Sequence, residues 1–280
     1  MEIVDVWKNN VDDSILVISN LIKFYNYVSM DTEFPGIVSH SFKLKNKSIE
    51  NPYQTLKSNV DLLNIIQIGF TLADENGVLP KSNGCWQFNF HFDVDEDLFA
   101  QDSIDLLVKS GVDFYNHKKK GIKMQKFANL LINSGLVLNR KIRWISFHSG
   151  YDFGYLIKIL TNNFLPSHKN EFFKLLQLFF PHSYDMKYLG MCSNDLQGGL
   201  NKLAEKFDVQ RIGPVHQAGS DSLLTLQIFF KLRDTFFNGK IEKKFEGVLY
   251  GLGSANSKKN TFEPINHEYD FIDSLSLILS

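Results

Sequence analysis

Tyr27-Val28-Ser29-Met30-Asp31-Thr32-Glu33-Phe34 is a short, β-prone stretch that carries two carboxylates two residues apart. Side chains alternate along a strand, so Asp31 and Glu33 point to one face. Two such groups repel and shift toward protonation unless a cation sits between them. A hard divalent ion resolves the repulsion, because Mg²⁺ and Mn²⁺ favour oxygen ligands. Taken alone, the same pair also describes an exposed strand end with solvated acids. The surrounding sequence has to decide.

Upstream, Asp12-Asp13-Ser14 precedes apolar residues Ile15, Leu16, Ile18, Leu21, Ile22 and Tyr25, which predicts a capped amphipathic helix. Downstream, residues 37–60 read as a loop followed by a helix. Asn64-Ile65-Ile66-Gln67-Ile68-Gly69-Phe70-Thr71-Leu72 reads as a strand, and Asp74-Glu75-Asn76-Gly77 as a turn. Trp86-Gln87-Phe88-Asn89-Phe90-His91-Phe92 alternates strictly, with aromatics on one face. These three strands predict an antiparallel meander. Beyond residue 95 the pattern changes. Helices are expected near 102–110 and 122–134, a strand at Ile142-Arg143-Trp144-Ile145-Ser146-Phe147, then helices near 152–162, 168–180, 199–207 and 219–237. The whole predicts an α/β fold with a mixed central sheet flanked by helices.

Composition sets the limits. The 280 residues are 44% hydrophobic, with 25 Phe, enough for a substantial aromatic-rich core. A net charge of −1 leaves no global field to gather a polyanion, so nucleic-acid binding has to rest on a local groove and on metal ions. The two cysteines, Cys85 and Cys192, have no C-x-x-C spacing, which argues against zinc ribbons and disulfide frameworks and for buried thiols in a reducing compartment. Met1-Glu2-Ile3-Val4-Asp5-Val6-Trp7 lacks the basic start of a secretory signal, and no apolar run approaches membrane-spanning length. The expected location is cytoplasm, nucleus or both, with no membrane association.

Two further acids complete the pattern. Asp152 follows a predicted strand and opens a helix, in the crevice position where α/β proteins bind ligands. Asp221 stands at another helix start, five residues after His216. Each alone fits a helix N-terminal acid favoured by the dipole. Together the order is D-x-E, D, H-x4-D. Four carboxylates can hold two divalent ions at a phosphodiester, and a neutral imidazole can take a water's proton. That is the layout of a metal-dependent 3′→5′ exonuclease with a histidine base.

The contexts are more specific than the acids. Met30-Asp31-Thr32-Glu33-Phe34-Pro35-Gly36, Trp144-Ile145-Ser146-Phe147-His148-Ser149-Gly150-Tyr151-Asp152-Phe153-Gly154-Tyr155-Leu156 and Arg211-Ile212-Gly213-Pro214-Val215-His216-Gln217-Ala218-Gly219-Ser220-Asp221-Ser222-Leu223-Leu224-Thr225 resemble the CAF/POP-type deadenylases. These are catalytic subunits of the CCR–NOT complex within the DEDDh exonuclease superfamily. Asn59-Val60-Asp61-Leu62-Leu63-Asn64, Gln101-Asp102-Ser103-Ile104-Asp105-Leu106-Leu107 and Leu249-Tyr250-Gly251-Leu252-Gly253 support the resemblance, which runs in order over residues 5–253.

The resemblance implies an RNase H-like (DEDD exonuclease) fold in one domain over residues 1–253, followed by a tail, 254–280. It implies removal of 3′ poly(A) from mRNA with release of 5′-AMP, in mRNA decay and translational repression. Asp31, Glu33, Asp152 and Asp221 match the family's ligands for two divalent ions, Mg²⁺ or Mn²⁺, and His216 matches its general base. The partners implied are the poly(A) 3′ end, the large NOT scaffold and a leucine-rich-repeat deadenylase. Phe34 follows the metal strand and is suited either to stack on a terminal base or to fill the core. His117-Lys118-Lys119-Lys120, with Lys123 and Lys126, is basic where relatives tend to be acidic; it reads as a solvated helix face or a contact for the RNA tail. The last stretch matches poorly, and neither Glu263 nor Glu268 is assigned a metal role. The acids alone do not separate RNA from DNA substrates, since that choice rests on 2′-hydroxyl contacts. The presence of all five groups argues against a vestigial site in an interaction subunit.

Overall fold

In the computed structural model, residues 2–39, 51–191, 196 and 198–255 are described. Among these residues six strands form one mixed sheet: β1 Ile3–Val6, β2 Tyr27–Glu33, β3 Gln67–Ala73, β4 Cys85–Asn89, β5 Arg143–Ser146 and β6 Ser183–Asp185. Their order across the sheet is β1-β4-β3-β2-β5-β6. The expected meander is β2-β3-β4, antiparallel throughout. β1 pairs parallel with β4, β5 with β2, and β6 with β5. Every strand but β3 therefore runs the same way, and five carboxyl ends emerge at one edge.

The helices are α1 Val11–Leu21, α2 Pro52–Leu62, α3 Gln101–Lys109, α4 Phe114–Lys120, α5 Met124–Asn133, α6 Gly150–Thr161, α7 Lys169–Phe179, α8 Met186–Met191, α9 Leu200–Lys206 and α10 Ala218–Phe236. α1 begins one residue before the expected cap. Asn10 holds the N-cap position without a side-chain cap bond, and Asp12 and Asp13 lie in the first turn, where they complement the dipole. The basic segment forms the end of α4 and the start of α5, with α4 a separate short helix that the sequence reading did not predict. Cys85 is buried, its thiol pushed up to about 11 by desolvation; Cys192 and most of the tail lie outside the described residues. Among the described residues no helix is long and apolar enough to cross a membrane.

Alternation divides the sheet into two chemically different faces. Val28, Met30, Ile68, Phe70, Leu72, Trp86 and Phe88 join the main core with residues of α1, α5, α6 and α7. The other face is small and polar where α10 crosses it. Ser29 Oγ donates to the Ser222 carbonyl (2.7 Å), Cys85 Sγ to the Gly219 carbonyl (3.2 Å), and Thr71 shares a 2.8 Å hydroxyl bond with Ser222. The helix comes so close that a Cβ on Gly69 would stand 1.9 Å from the Ala218 carbonyl oxygen. Only glycine fits there, and that close approach brings the start of α10 to the end of β2.

Candidate active site

Asp31 and Glu33 share the face of β2 that meets α10, as their spacing requires. Thr32 points the other way and donates to Asp152 Oδ1 at 2.7 Å, tying the first turn of α6 to β2. Ligating atoms of Glu33, His216 and Asp221 lie within 4.8 Å of one another. Asp31 and Asp152 fall outside that tight group, yet Glu33 and Asp221 raise the Asp31 carboxyl and Asp152 raises that of Glu33. The structure thus brings all four acids and the histidine to the carboxyl edge of the sheet.

The position of Asp221 is set by residues far away in sequence. The first helical amides of α10 have no partner within the helix. Ala218 N donates to Gln67 Oε1 on β3 (3.3 Å), and Gly219 N to Gln87 Oε1 on β4 (3.0 Å). Sheet glutamines therefore replace a local cap, since Gln217 at the N-cap makes no side-chain cap bond. His216, just before the helix, has φ +59°, a left-handed conformation in which histidine is enriched.

Asp152 depends on Asp185, which the sequence reading missed. Asp185 ends β6, is 1% exposed, and accepts from four backbone amides: His148 (2.8 Å), Ser149 (3.2 Å), Lys187 (3.0 Å) and Tyr250 (3.0 Å). It thus fixes the turn that launches α6, and docks the segment around Tyr250 beside it. His148 has φ +58° in that turn and meets the Tyr250 ring edge-to-face, 4.9 Å between centroids. An acid at the carboxyl end of a short strand was the available signal; three residues of β6 carry too little periodicity to reveal it.

Charge in the site is unbalanced. Burial, then Asp221, Asp152 and Glu33, push the Asp31 carboxyl well above its ordinary range. Glu33 is raised by burial and by Asp221 and Asp152. Burial raises Asp152 to about 7 despite the bond from Thr32. Asp221 is raised by burial, opposed by Arg211. Arg211, also missed as a site residue, donates from Nη1 to Asp221 Oδ1 (2.6 Å) and Ser220 Oγ (3.0 Å), and from Nη2 to Asn201 Oδ1 (2.6 Å). One guanidinium faces four converging carboxylates. Such an oxygen-rich, desolvated, mutually repelling set fits divalent cations of the hard class. Burial holds the His216 imidazole below its usual pKa, so it is neutral and able to accept a proton near neutrality.

Phe34 stacks on Tyr151, with centroids 5.0 Å apart and planes 16° from parallel, and packs partly buried against the main core. Its visible partner is thus a protein ring.

The sequence model of the family described as CAF1 family ribonuclease matches residues 6–130. Poly(A) ribonuclease pop2 of Schizosaccharomyces pombe is 48% identical over 253 residues, 90% of this chain and 76% of that protein. Probable CCR4-associated factor 1 homolog 7 of Arabidopsis thaliana is 48% identical over 264 residues, 92% of this chain and 96% of that one. Among solved structures, S. pombe Pop2p in its Mg²⁺- and Mn²⁺-bound form superposes with TM-score 0.86 at 47% identity, covering 90% of this chain and all of that one. The CAF1 structure co-crystallised with the yeast NOT1 MIF4G domain gives 0.75 at 34% identity, covering 89% and 96%. E. coli exonuclease I with a dA16 oligonucleotide gives 0.53 at 12% identity, over 76% and 42%, a likeness of fold alone. The mixed sheet with its flanking helices is an RNase H-like fold.

Proposed function

The chain belongs to the CAF1 ribonuclease family, and from that membership we propose that it is a poly(A)-specific 3′→5′ exoribonuclease. It shortens mRNA poly(A) tails, in mRNA decay and translational repression. The observation that carries the reading is the gathering of Glu33, His216 and Asp221 within 4.8 Å, beside Asp31 and Asp152, at the carboxyl edge of the sheet.

Hydrolysis joins a water oxygen to phosphorus and breaks the bond from phosphorus to the 3′-oxygen of the penultimate nucleotide. A proton passes to that oxygen, leaving 5′-AMP and a shorter strand with a free 3′-hydroxyl. Asp31, Glu33, Asp152 and Asp221 would hold two divalent cations, Mg²⁺ or Mn²⁺, which supply positive charge at the scissile phosphate. His216, neutral and beside Glu33 and Asp221, takes the proton from the attacking water. Thr32 and Arg211 orient Asp152 and Asp221 through direct hydrogen bonds. The Phe34–Tyr151 pair, next to the metal strand, offers a ring edge for the terminal base.

The relative that co-crystallised with a NOT1 domain supports docking on a NOT scaffold. Partnership with a leucine-rich-repeat deadenylase, a single catalytic domain over residues 1–253, and action in cytoplasm and nucleus complete the proposal. A 5′-labelled RNA ending in an A-run tests it. With Mg²⁺ or Mn²⁺ it should shorten to a ladder that stops near the non-A sequence, and chelator should stop the reaction. Undiminished full-length RNA with metal present would refute the activity, and equal degradation of single-stranded DNA would refute the RNA assignment.

A further inference from the structure

A recess of about 230 Å³ lies outside the carboxylate site and is walled by Lys8, His91, Lys118, Lys119, Lys123 and Lys126. Lys8 follows the carboxyl end of β1 and His91 that of β4, so both stand on the edge of the sheet that carries the acids. The pairing register runs Asp31–Gly69–Gln87–Asp5 across β2, β3, β4 and β1. Three interstrand steps of about 4.8 Å place the recess on the order of 15 Å along that edge from the site, a few nucleotides of extended strand.

Helix-dipole complementation accounts for lysines in the last turn of α4. It does not account for Lys8 and Lys123, which arrive from other elements and converge on the same hollow. Some of the charge is already engaged. Lys118 Nζ lies 2.9 Å from the carboxylates of both Asp93 and Asp95, Lys126 pairs with Asp12, and Lys8 donates to the Lys119 carbonyl at 2.7 Å. Lys119 and Lys123 have no carboxylate partner among the described residues. Beside them Tyr115 is 70% exposed, with the Lys119 ammonium 5.9 Å from its ring centroid.

Ammonium groups without acidic partners next to an exposed ring are the means by which single strands are held without sequence preference: charge for the phosphates, a ring face for a base. We propose that this recess holds the sugar-phosphate backbone of the RNA upstream of its 3′ end, with Tyr115 stacking on one of its bases. The proposal rests on the exoribonuclease reading and adds a second grip to it. An acidic protein segment would also satisfy the lysines, but it would give the exposed ring no role.

The test compares wild type with the double variant Lys119→Glu/Lys123→Glu and with Tyr115→Ala. Turnover is measured on an adenosine trinucleotide and on a long A-tailed RNA, and binding of the long RNA by anisotropy in chelator. In the charge variant KM for the long RNA should rise roughly tenfold or more, with kcat unchanged and the trinucleotide unaffected. The salt slope of binding should fall by about 1.4, at about 0.7 for each lost single-strand phosphate contact. Tyr115→Ala should weaken long-RNA binding about fivefold or more. Unchanged binding in the charge variant, or equal losses on both substrates, would overturn the proposal. So would a poly-glutamate peptide that binds wild type through these lysines while the long RNA does not. If wild type shortens neither RNA, the exoribonuclease reading fails, and anisotropy still decides the recess separately.

Discussion

At the scale of single residues, the site is a set of groups held away from their ordinary ionisation. Asp152 is the clearest: burial raises it to about 7, against an unfolded value near 4. Between those values the folded chain binds a proton that the unfolded chain has released. The stabilising contribution is therefore full below about pH 4 and lost as pH rises through 7. Asp31, Glu33 and Asp221 shift in the same direction. In chelator, stability should fall from pH 5 to pH 8, by up to about 3 kcal/mol for Asp152, read as a lowered melting temperature. Asp152→Asn should flatten the fall, and saturating Mg²⁺ should reverse it. A chelated protein whose stability climbs over that window would contradict the charge imbalance. Asp31→Ala should end turnover while leaving the metal-free fold as stable or more so; activity at the wild-type rate would sink its ligand role. His216→Ala should cost roughly 10²–10⁴-fold in kcat, the range for a positioned base. Its nearness to Glu33 and Asp221 makes calorimetry the informative companion: near-normal metal affinity marks a base, lost affinity a ligand.

At the scale of elements, each functional side chain is aimed by a contact between segments distant in sequence. Gln67 and Gln87 hold the start of α10, and Asp185 holds the start of α6. Lys158, within α6, donates to the carbonyls of Val60, Asp61 and Leu63 and closes the end of α2, so α6 is pinned at both ends. Asp185→Asn replaces one acceptor oxygen by a donor, which leaves two amides unsatisfied, those of His148 and Lys187 or those of Ser149 and Tyr250, at about 1–3 kcal/mol each. The variant should melt several degrees lower, bind metal more weakly at Asp152, and lose kcat more than KM. Thermal scans and turnover that match wild type would show that the turn holds without its carboxylate.

At the scale of the whole molecule, a net charge of −1 concentrates recognition in local features. The carboxylate site accepts a strand end. Poly(A) RNA with a 3′-terminal phosphate should be degraded much more slowly than the same RNA with a free 3′-hydroxyl, because added negative charge meets the acids. A circular RNA with the same A-run should survive. Gel analysis showing equal loss of linear and circular forms would point to internal cleavage and exclude the exonuclease reading.

The sequence by itself determined the meander, the later helices except the short α4 and α8, and the five chemical groups. Strand alternation in β2 and β4, and long apolar periodicity in α6 and α10, are local signals that survive folding. The D-x-E spacing alone puts Asp31 and Glu33 on one face of β2. Only the tertiary structure decided the rest. β1 and the three-residue β6 are too short to announce themselves, and exist because an adjacent strand offers them a hydrogen-bonding edge. The amides of Gln67 and Gln87 look like ordinary strand polar groups until α10 lies across them. Gly69 looks like a weak point in a strand until the Ala218 carbonyl approaches it. Asp185 and Arg211 act through partners separated from them in sequence, and no local pattern encodes such a pairing. The residues that perform the proposed chemistry were thus legible, whereas those that aim them were not, because aim is a property of packed neighbours.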